Sequence, residues 1–139
     1  SIYGNMLSHI VVTTKNNGAV PDLPVDCAVE VSSYIGSTGA RPIAFGPLEP
    51  AERGWVQCMK NMELCVEEAA VTGDYGTLLQ AFTINPQIVA GTKAKRIMDE
   101  LLIAHKKYLP QFADTIARLE EEGVTIKDDV ARELTEKGL

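Results

Sequence analysis

Two histidines, three cysteines and a scatter of carboxylates carry whatever reactivity this sequence has, and their spacing decides what they can do. Protein metal sites are built from His, Cys, Asp or Glu in closely spaced sets. Here His9 and His105 stand apart from each other and from every cysteine, and Cys27, Cys58 and Cys65 form no CxxC pair. Cys58 and Cys65 are two helical turns apart, on one side with Met62 and Ala69, which is core spacing rather than a chelate. Glu63, Glu67 and Glu68 line one solvated helix face and Asp74 stands where a helix cap is needed, whereas glycosidase carboxylates must flank a bond from opposite sides. Glu30, between Val29 and Val31, should project to the outer face of a strand. Neither GxGxxG nor GxxxxGK[ST] occurs, so no anion-cradling loop is expected. No catalytic, cofactor-binding or metal-ligating residue is therefore assigned. The best binding candidate is Lys15-Asn16-Asn17-Gly18, a cation, two amides and a permissive backbone at a strand end. Asn16, Asn17 and Gly18 could hold sugar hydroxyls or phosphate, although an ordinary turn uses the same residue types.

The elements that must position this turn are legible in the hydrophobic period. Ile10 to Thr14, Ala28 to Val31 with Tyr34-Ile35, and Pro42 to Phe45 read as strands, separated by Asn16-Asn17-Gly18, Pro21-Asp22-Leu23-Pro24 and Gly36-Ser37-Thr38-Gly39. Connections this short suit an antiparallel meander. From Pro50 the period becomes helical, with Trp55, Met59, Met62, Val66 and Ala69 on one face and Gly73 as a left-handed stop. Asp74 can cap a second helix carrying Leu78, Leu79, Ala81 and Phe82, and Asn85-Pro86 should end it. A third helix after Thr92 presents Ala94, Ile97, Met98, Leu101 and Leu102, with a basic opposite face, and Pro110 closes the segment. Phe112, Ile116 and Leu119 lead to Gly123, and Thr125 to Asp128 looks like a capping box ahead of Val130 and Leu134. Strands first and helices afterwards predict an α+β fold, a small antiparallel sheet followed by packed helices.

Composition excludes several classes of function. With 139 residues, 45% of them apolar and 23% charged, the chain can bury a substantial core. The net charge is −6 and no basic stripe follows a phosphate backbone, so nucleic acid is not an expected partner. Apolar runs stop well short of the ~20 residues of a membrane span. An odd cysteine count without a disulfide framework suits a reducing cytoplasm.

The run NNGAVPDLPVDCAVEV at 16 to 31 resembles a segment of glycoside hydrolase family 4, in which an NNGAI-type turn precedes LP and a VEV strand. RPIAFGPLEPAERGWVQ at 41 to 57 is similar to the family's PI/PLYVGPLP segment and following helix, and EEAAVTGDYGTLLQAFTINPQIV at 67 to 89 to its helix-TGD-helix-NP pattern. AKRIMDELLIAHKKYLPQF at 94 to 112 looks most like the end of bacterial 6-phospho-β-glucosidases. The likeness covers residues 1 to 112, a C-terminal domain like that of lactate dehydrogenase and the family 4 glycosidases, with 113 to 139 as a helical extension.

The resemblance implies hydrolysis of 6-phospho-β-glucosides, of the phosphorylated cellobiose type, by NAD-dependent oxidation at the sugar 3-hydroxyl. Proton removal at carbon 2 by a tyrosine, loss of the aglycone, water addition and return of the hydride follow. A divalent metal, manganese in expectation, would stabilise the enolate from cysteine and histidine ligands. It further implies that SIY at 1 to 3 follows the catalytic tyrosine, so that the dinucleotide domain, the metal ligands and the base precede these residues and the chain alone is inactive. Asn16, Asn17 and Gly18 would then be the residues nearest the sugar, and a cytoplasmic homo-oligomer is expected. Relatives often carry basic residues just after SIY, whereas Gly4-Asn5-Met6-Leu7-Ser8 is uncharged. Two other readings stay open: a non-catalytic self-association domain using Trp55, Met59 or the tail helix, and a family 4 enzyme acting on 6-phospho-α-glucosides, α-galactosides or α-galacturonides.

Overall fold

The computed structural model of the chain describes residues 1–88, 91–127 and 136. The fold is α+β, with strands β1 (Ser8–Lys15), β2 (Ala28–Gly36) and β3 (Gly39–Pro42) followed by helices α1 (Pro50–Thr72), α2 (Tyr75–Ile84), α3 (Thr92–Ala104) and α4 (Ala113–Glu121). Two compact units result, Ser1–Gln57 and Cys58–Leu139.

In the first unit the strands form an antiparallel meander in the order β1-β2-β3, with Val12 opposite Val31 and Tyr34 opposite both His9 and Arg41. Alternation buries Val29, Val31, Ser33 and Ile35 and leaves Glu30 and Tyr34 exposed, as the sequence pattern requires. Ala19, Val20 and Cys27 complete this core, with Leu23 and Leu48 packed against it. Asp22 ties the following loop down: its Oδ2 accepts the Leu48 N–H at 2.7 Å, and its backbone carbonyl accepts Gln57 Nε2 at 2.9 Å.

The third strand lies three residues earlier than the Pro42–Phe45 expected from sequence. Gly36 pairs with Gly39 across a two-residue turn, so pairing starts at once and runs out after Ser33 meets Pro42. One further bond, Ile43 N–H to the Ser32 carbonyl, extends it at 2.9 Å. The N–H groups of Phe45 and Gly46 turn instead to the Ala19 carbonyl, at 2.8 and 3.2 Å. That contact anchors the segment beneath the turn at the end of β1.

The second unit is helical, with a core of Ala69, Met98, Leu102, Ile103, Phe112, Ile116 and Leu119. Removing a side chain such as Leu119 from water contributes about 1.5–3 kcal/mol. Local signals set the helix ends. Gly73, at φ 74°, ends α1, and an added Cβ there would sit 2.1 Å from the Gln111 carbonyl oxygen. Asp74 caps α2 by accepting the Thr77 N–H at 2.5 Å, and Asn85 closes it through a bond to the Ala81 carbonyl. After α4, the Val124 N–H reaches the Leu119 carbonyl at 3.0 Å while Gly123 takes φ 78°, a Schellman-type stop.

The apolar face expected along α1 is not a buried face. Ala69 is its one buried residue, and Trp55 is 59% exposed. A helical period identifies a face but not a partner, and the core of the second unit is gathered around Ala69 near the end of the helix. On α3, Ala94, Met98 and Leu102 are buried as expected, Ile103 joins them, and Ile97 and Leu101 are exposed. The capping-box residue Asp128 and the helix around Val130 and Leu134 lie outside the described residues.

Candidate functional site

The turn at the end of β1 is held from inside by Asn16. The ladder's last pair is Lys15 with Ala28, and the Asn16 N–H extends it to the Cys27 carbonyl at 2.9 Å. The Asn16 side chain is wholly buried. Its Oδ1 accepts the Val20 N–H at 2.8 Å. Its Nδ2 donates to the carbonyls of Val20, Leu23 and Pro24 at 2.9, 3.2 and 3.0 Å. Three acceptors crowd the two amide hydrogens, and the reverse amide orientation would set a donor against the Val20 N–H, so the network fixes the orientation. This side chain has no free valence for a ligand.

Asn17 and Gly18 are presented outward. Asn17 takes φ 48° with its N–H on the Val25 carbonyl at 2.8 Å, and Gly18 takes φ 84° with open space where a Cβ would project. Both are exposed, as is Lys15. The turn thus displays an ammonium, an amide and bare backbone over a rigid inner amide. These are groups suited to sugar hydroxyls or an anionic substituent. Asn16 differs from its two neighbours in role: it shapes the surface that they present.

The other chemically capable residues are dispersed. The His9 ring lies tilted against that of Tyr34, 5.5 Å between centres, on the sheet's exposed face. His105 Nδ1 lies 2.9 Å from the Leu101 carbonyl in the second unit. Cys27 is buried, Cys58 donates its thiol to the Ile84 carbonyl at 3.1 Å, and both are free, as is Cys65. Glu63 pairs with Lys60. The Asp74 carboxyl is held below its usual range, chiefly by the Thr77 backbone N–H, which suits a cap and not a proton donor. Among the described residues no three His, Cys, Asp or Glu side chains converge to hold a metal ion, so these residues do not fit a metal centre and no chemical step is assigned to one. Among the same residues no helix is long and apolar enough to cross a membrane.

One cluster has only a partial signature in the sequence. Asp99 is 3% exposed; it accepts the Tyr75 hydroxyl at 2.7 Å and Lys95 Nζ at 2.6 Å. Lys95 Nζ and the Arg118 guanidinium also lie over the Tyr75 ring, 5.7 and 5.5 Å from its centre. Burial, then the Asp99 bond, raises the Tyr75 pKa, and the bond to Asp99 raises that of Lys95. A phenol and an ammonium that hold their protons this firmly are poor bases at neutral pH. The cluster joins α2 to α3. The i,i+4 spacing of Lys95 and Asp99 announces their pair, but nothing local points to Tyr75.

Comparison with known proteins agrees with the segments that carry the resemblance. Residues 1–88 match the family 4 glycosyl hydrolase C-terminal domain. The chain is 51% identical over 116 residues to a probable 6-phospho-beta-glucosidase of Bacillus subtilis (strain 168), covering 84% of this chain and 26% of that protein. Among solved structures, a 6-phospho-alpha-glucosidase from gut microorganisms in complex with NAD and glucose-6-phosphate superposes with a TM-score of 0.76 at 31% identity, covering 80% of this chain and 25% of the other. A 6-phospho-alpha-glucosidase from the same source, with NAD and Mn2+, gives a TM-score of 0.76 at 28% identity, covering 79% and 25%. The chain spans about a quarter of the length of each.

Proposed function

Because this chain belongs to the family 4 glycosyl hydrolases, whose C-terminal domain it carries over residues 1–88, we propose that it serves in a 6-phospho-β-glucosidase that uses NAD and a divalent metal, manganese by preference. The observation that carries this reading is the 51% identity to the B. subtilis probable 6-phospho-beta-glucosidase, against 31% to the 6-phospho-alpha-glucosidase that superposes well. NAD in both structural neighbours and Mn2+ in one of them support the cofactors. In this reading the dinucleotide site, the metal ligands and the base lie on polypeptide beyond these residues, and residues 1–112 act as one functional domain extended by 113–139. The Asn17–Gly18 turn, held by Asn16, faces the sugar and supplies binding rather than bond-breaking chemistry.

A substrate panel tests the specificity. A polypeptide joining this chain to a family 4 dinucleotide-binding portion, supplied with NAD and Mn2+, should cleave 6-phospho-β-glucosides. It should leave 6-phospho-α-glucosides, α-galactosides and α-galacturonides largely untouched. Preference for any of the α-linked substrates would replace the β assignment while keeping the family.

A further inference from the structure

Asn17 and Gly18 form the one Asn-Gly step in the sequence. In such a step the glycine's backbone nitrogen can attack the asparagine's side-chain carbonyl, because no Cβ on the following residue obstructs the approach. The attack needs a side chain that is free to turn and an N–H that is not already donated. Both conditions are met at this turn. Asn17 and Gly18 are exposed, and nothing lies within 4 Å of where a Cβ on Gly18 would project. Among the described residues neither the Asn17 side-chain amide nor the Gly18 N–H has a hydrogen-bond partner.

The other four of the five asparagines are closed to the same reaction. The buried Asn16 side chain is bound by Val20, Leu23 and Pro24, and the N–H that would attack it, that of Asn17, is held by the Val25 carbonyl at 2.8 Å. Asn5 Oδ1 accepts the Ser37 N–H at 2.9 Å, and the following Met6 N–H is taken by the Ser1 carbonyl at 3.2 Å. Asn61 precedes Met62 inside α1, where that N–H belongs to the helical ladder. Asn85 precedes Pro86, which has no N–H.

We infer that Asn17 is a site of spontaneous covalent modification, converted by water to aspartate and isoaspartate while the other asparagines stay intact. The deprotonated Gly18 nitrogen forms a bond to the Asn17 side-chain carbonyl carbon, the bond to Nδ2 breaks, and ammonia leaves with a proton from solvent. Water then opens the five-membered imide at either carbonyl, so one water enters for the ammonia lost and no oxidant or reductant is needed. The product carries a new carboxylate two residues from exposed Lys15. Its effect on sugar binding, unlike the reaction itself, rests on the proposed place of this turn at the sugar: an amide that donates becomes a carboxylate that only accepts.

Peptide mapping by mass spectrometry, with isoaspartate detection, of the folded 139-residue chain aged in buffer tests the inference. Conversion should be confined to Asn17 and should quicken from mildly acid to mildly alkaline pH, because the attacking nitrogen must lose its proton. Gly18→Ala, which sets a Cβ against the approach, should slow it on the order of tenfold. Unfolding in urea should lower the ratio of the Asn17 rate to the Asn16 rate, since the shield around Asn16 is then lost. An Asn17 that outlasts Asn5, Asn16 or Asn61 in the folded chain, a rate indifferent to pH, or a ratio unchanged by urea would each overturn the inference. In a polypeptide joining this chain to a family 4 dinucleotide-binding portion, KM for a 6-phospho-β-glucoside should rise with the fraction converted. Conversion at Asn17 with KM unchanged would refute the place of the turn at the sugar and leave the modification site standing.

Discussion

Asn16 and Val20 exchange a reciprocal pair of hydrogen bonds, the Val20 N–H donating to Asn16 Oδ1 at 2.8 Å and Asn16 Nδ2 donating to the Val20 carbonyl at 2.9 Å. One buried amide thereby ties the turn from inside, alongside the backbone bonds of Asn16 and Asn17 to the Cys27 and Val25 carbonyls. Removing it in Asn16→Ala would leave the Val20 N–H and up to three carbonyls to find other partners in a closed space. The expected loss is about 2–4 kcal/mol, read from the shift of the urea midpoint at constant slope. A variant as stable as the wild type would mean that the amide does not hold the turn.

Asn16→Asp separates hydrogen bonding from shape. The acid has nearly the same volume, but its carboxylate would face the carbonyls of Leu23 and Pro24 that Nδ2 now satisfies. Repulsion raises the folded-state pKa of this new acid above its unfolded value, so its cost is largest at neutral pH and shrinks as the pH falls and the group protonates. Urea titrations of wild type and variant near neutrality and near pH 4 check the sign. A stability gap independent of pH would contradict it.

Gly73 and Gly18 both have positive φ but answer to different constraints. At Gly73 a Cβ would stand 2.1 Å from the Gln111 carbonyl oxygen, whereas at Gly18 nothing lies within 4 Å. Gly18→Ala should cost about 1–2 kcal/mol for its left-handed backbone alone, while Gly73→Ala should cost clearly more. Thermal unfolding of the two variants side by side tests the difference, and equal costs would refute the close approach.

The Tyr75–Asp99–Lys95 cluster predicts weakening in alkali. The folded pKa values lie above the ordinary 10.0 for Tyr75 and 10.5 for Lys95. Both groups therefore hold their protons more tightly when folded. Their stabilisation is complete below the unfolded values and is lost as the pH rises through the folded ones. Asp99→Asn should lower stability by about 2 kcal/mol at neutral pH and flatten the decline above about pH 10. An alkaline decline of unchanged steepness in that variant would exclude the bonds to Asp99 as its source.

Much of this architecture is readable in the sequence because its causes are local. Gly73, Asp74 and Asn85 punctuate α1 and α2 through bonds to residues within four positions, and the Val29-Glu30-Val31 alternation sorts itself onto two faces of β2. The third strand was displaced because its register is counted from the Gly36–Gly39 turn, and because the Ala19 carbonyl takes the next N–H groups. The face of α1 around Trp55 has the right period but is exposed among the described residues. At the candidate site the sequence marks the turn but not the inward aim of Asn16. That aim depends on the carbonyls of Leu23 and Pro24, delivered by a loop whose path no short-range rule gives. Tyr75 meets Asp99 from 24 positions away, for the same reason.

The measurement closest to the central claim is the hydrolysis of p-nitrophenyl 6-phospho-β-glucoside with NAD and Mn2+, comparing this chain alone with the same chain preceded by a family 4 dinucleotide-binding portion. The account predicts turnover only when that portion is present, with Asn17→Ala raising KM more than it lowers kcat. Turnover by the chain alone would contradict it, because the bond-breaking groups would then have to lie among these residues.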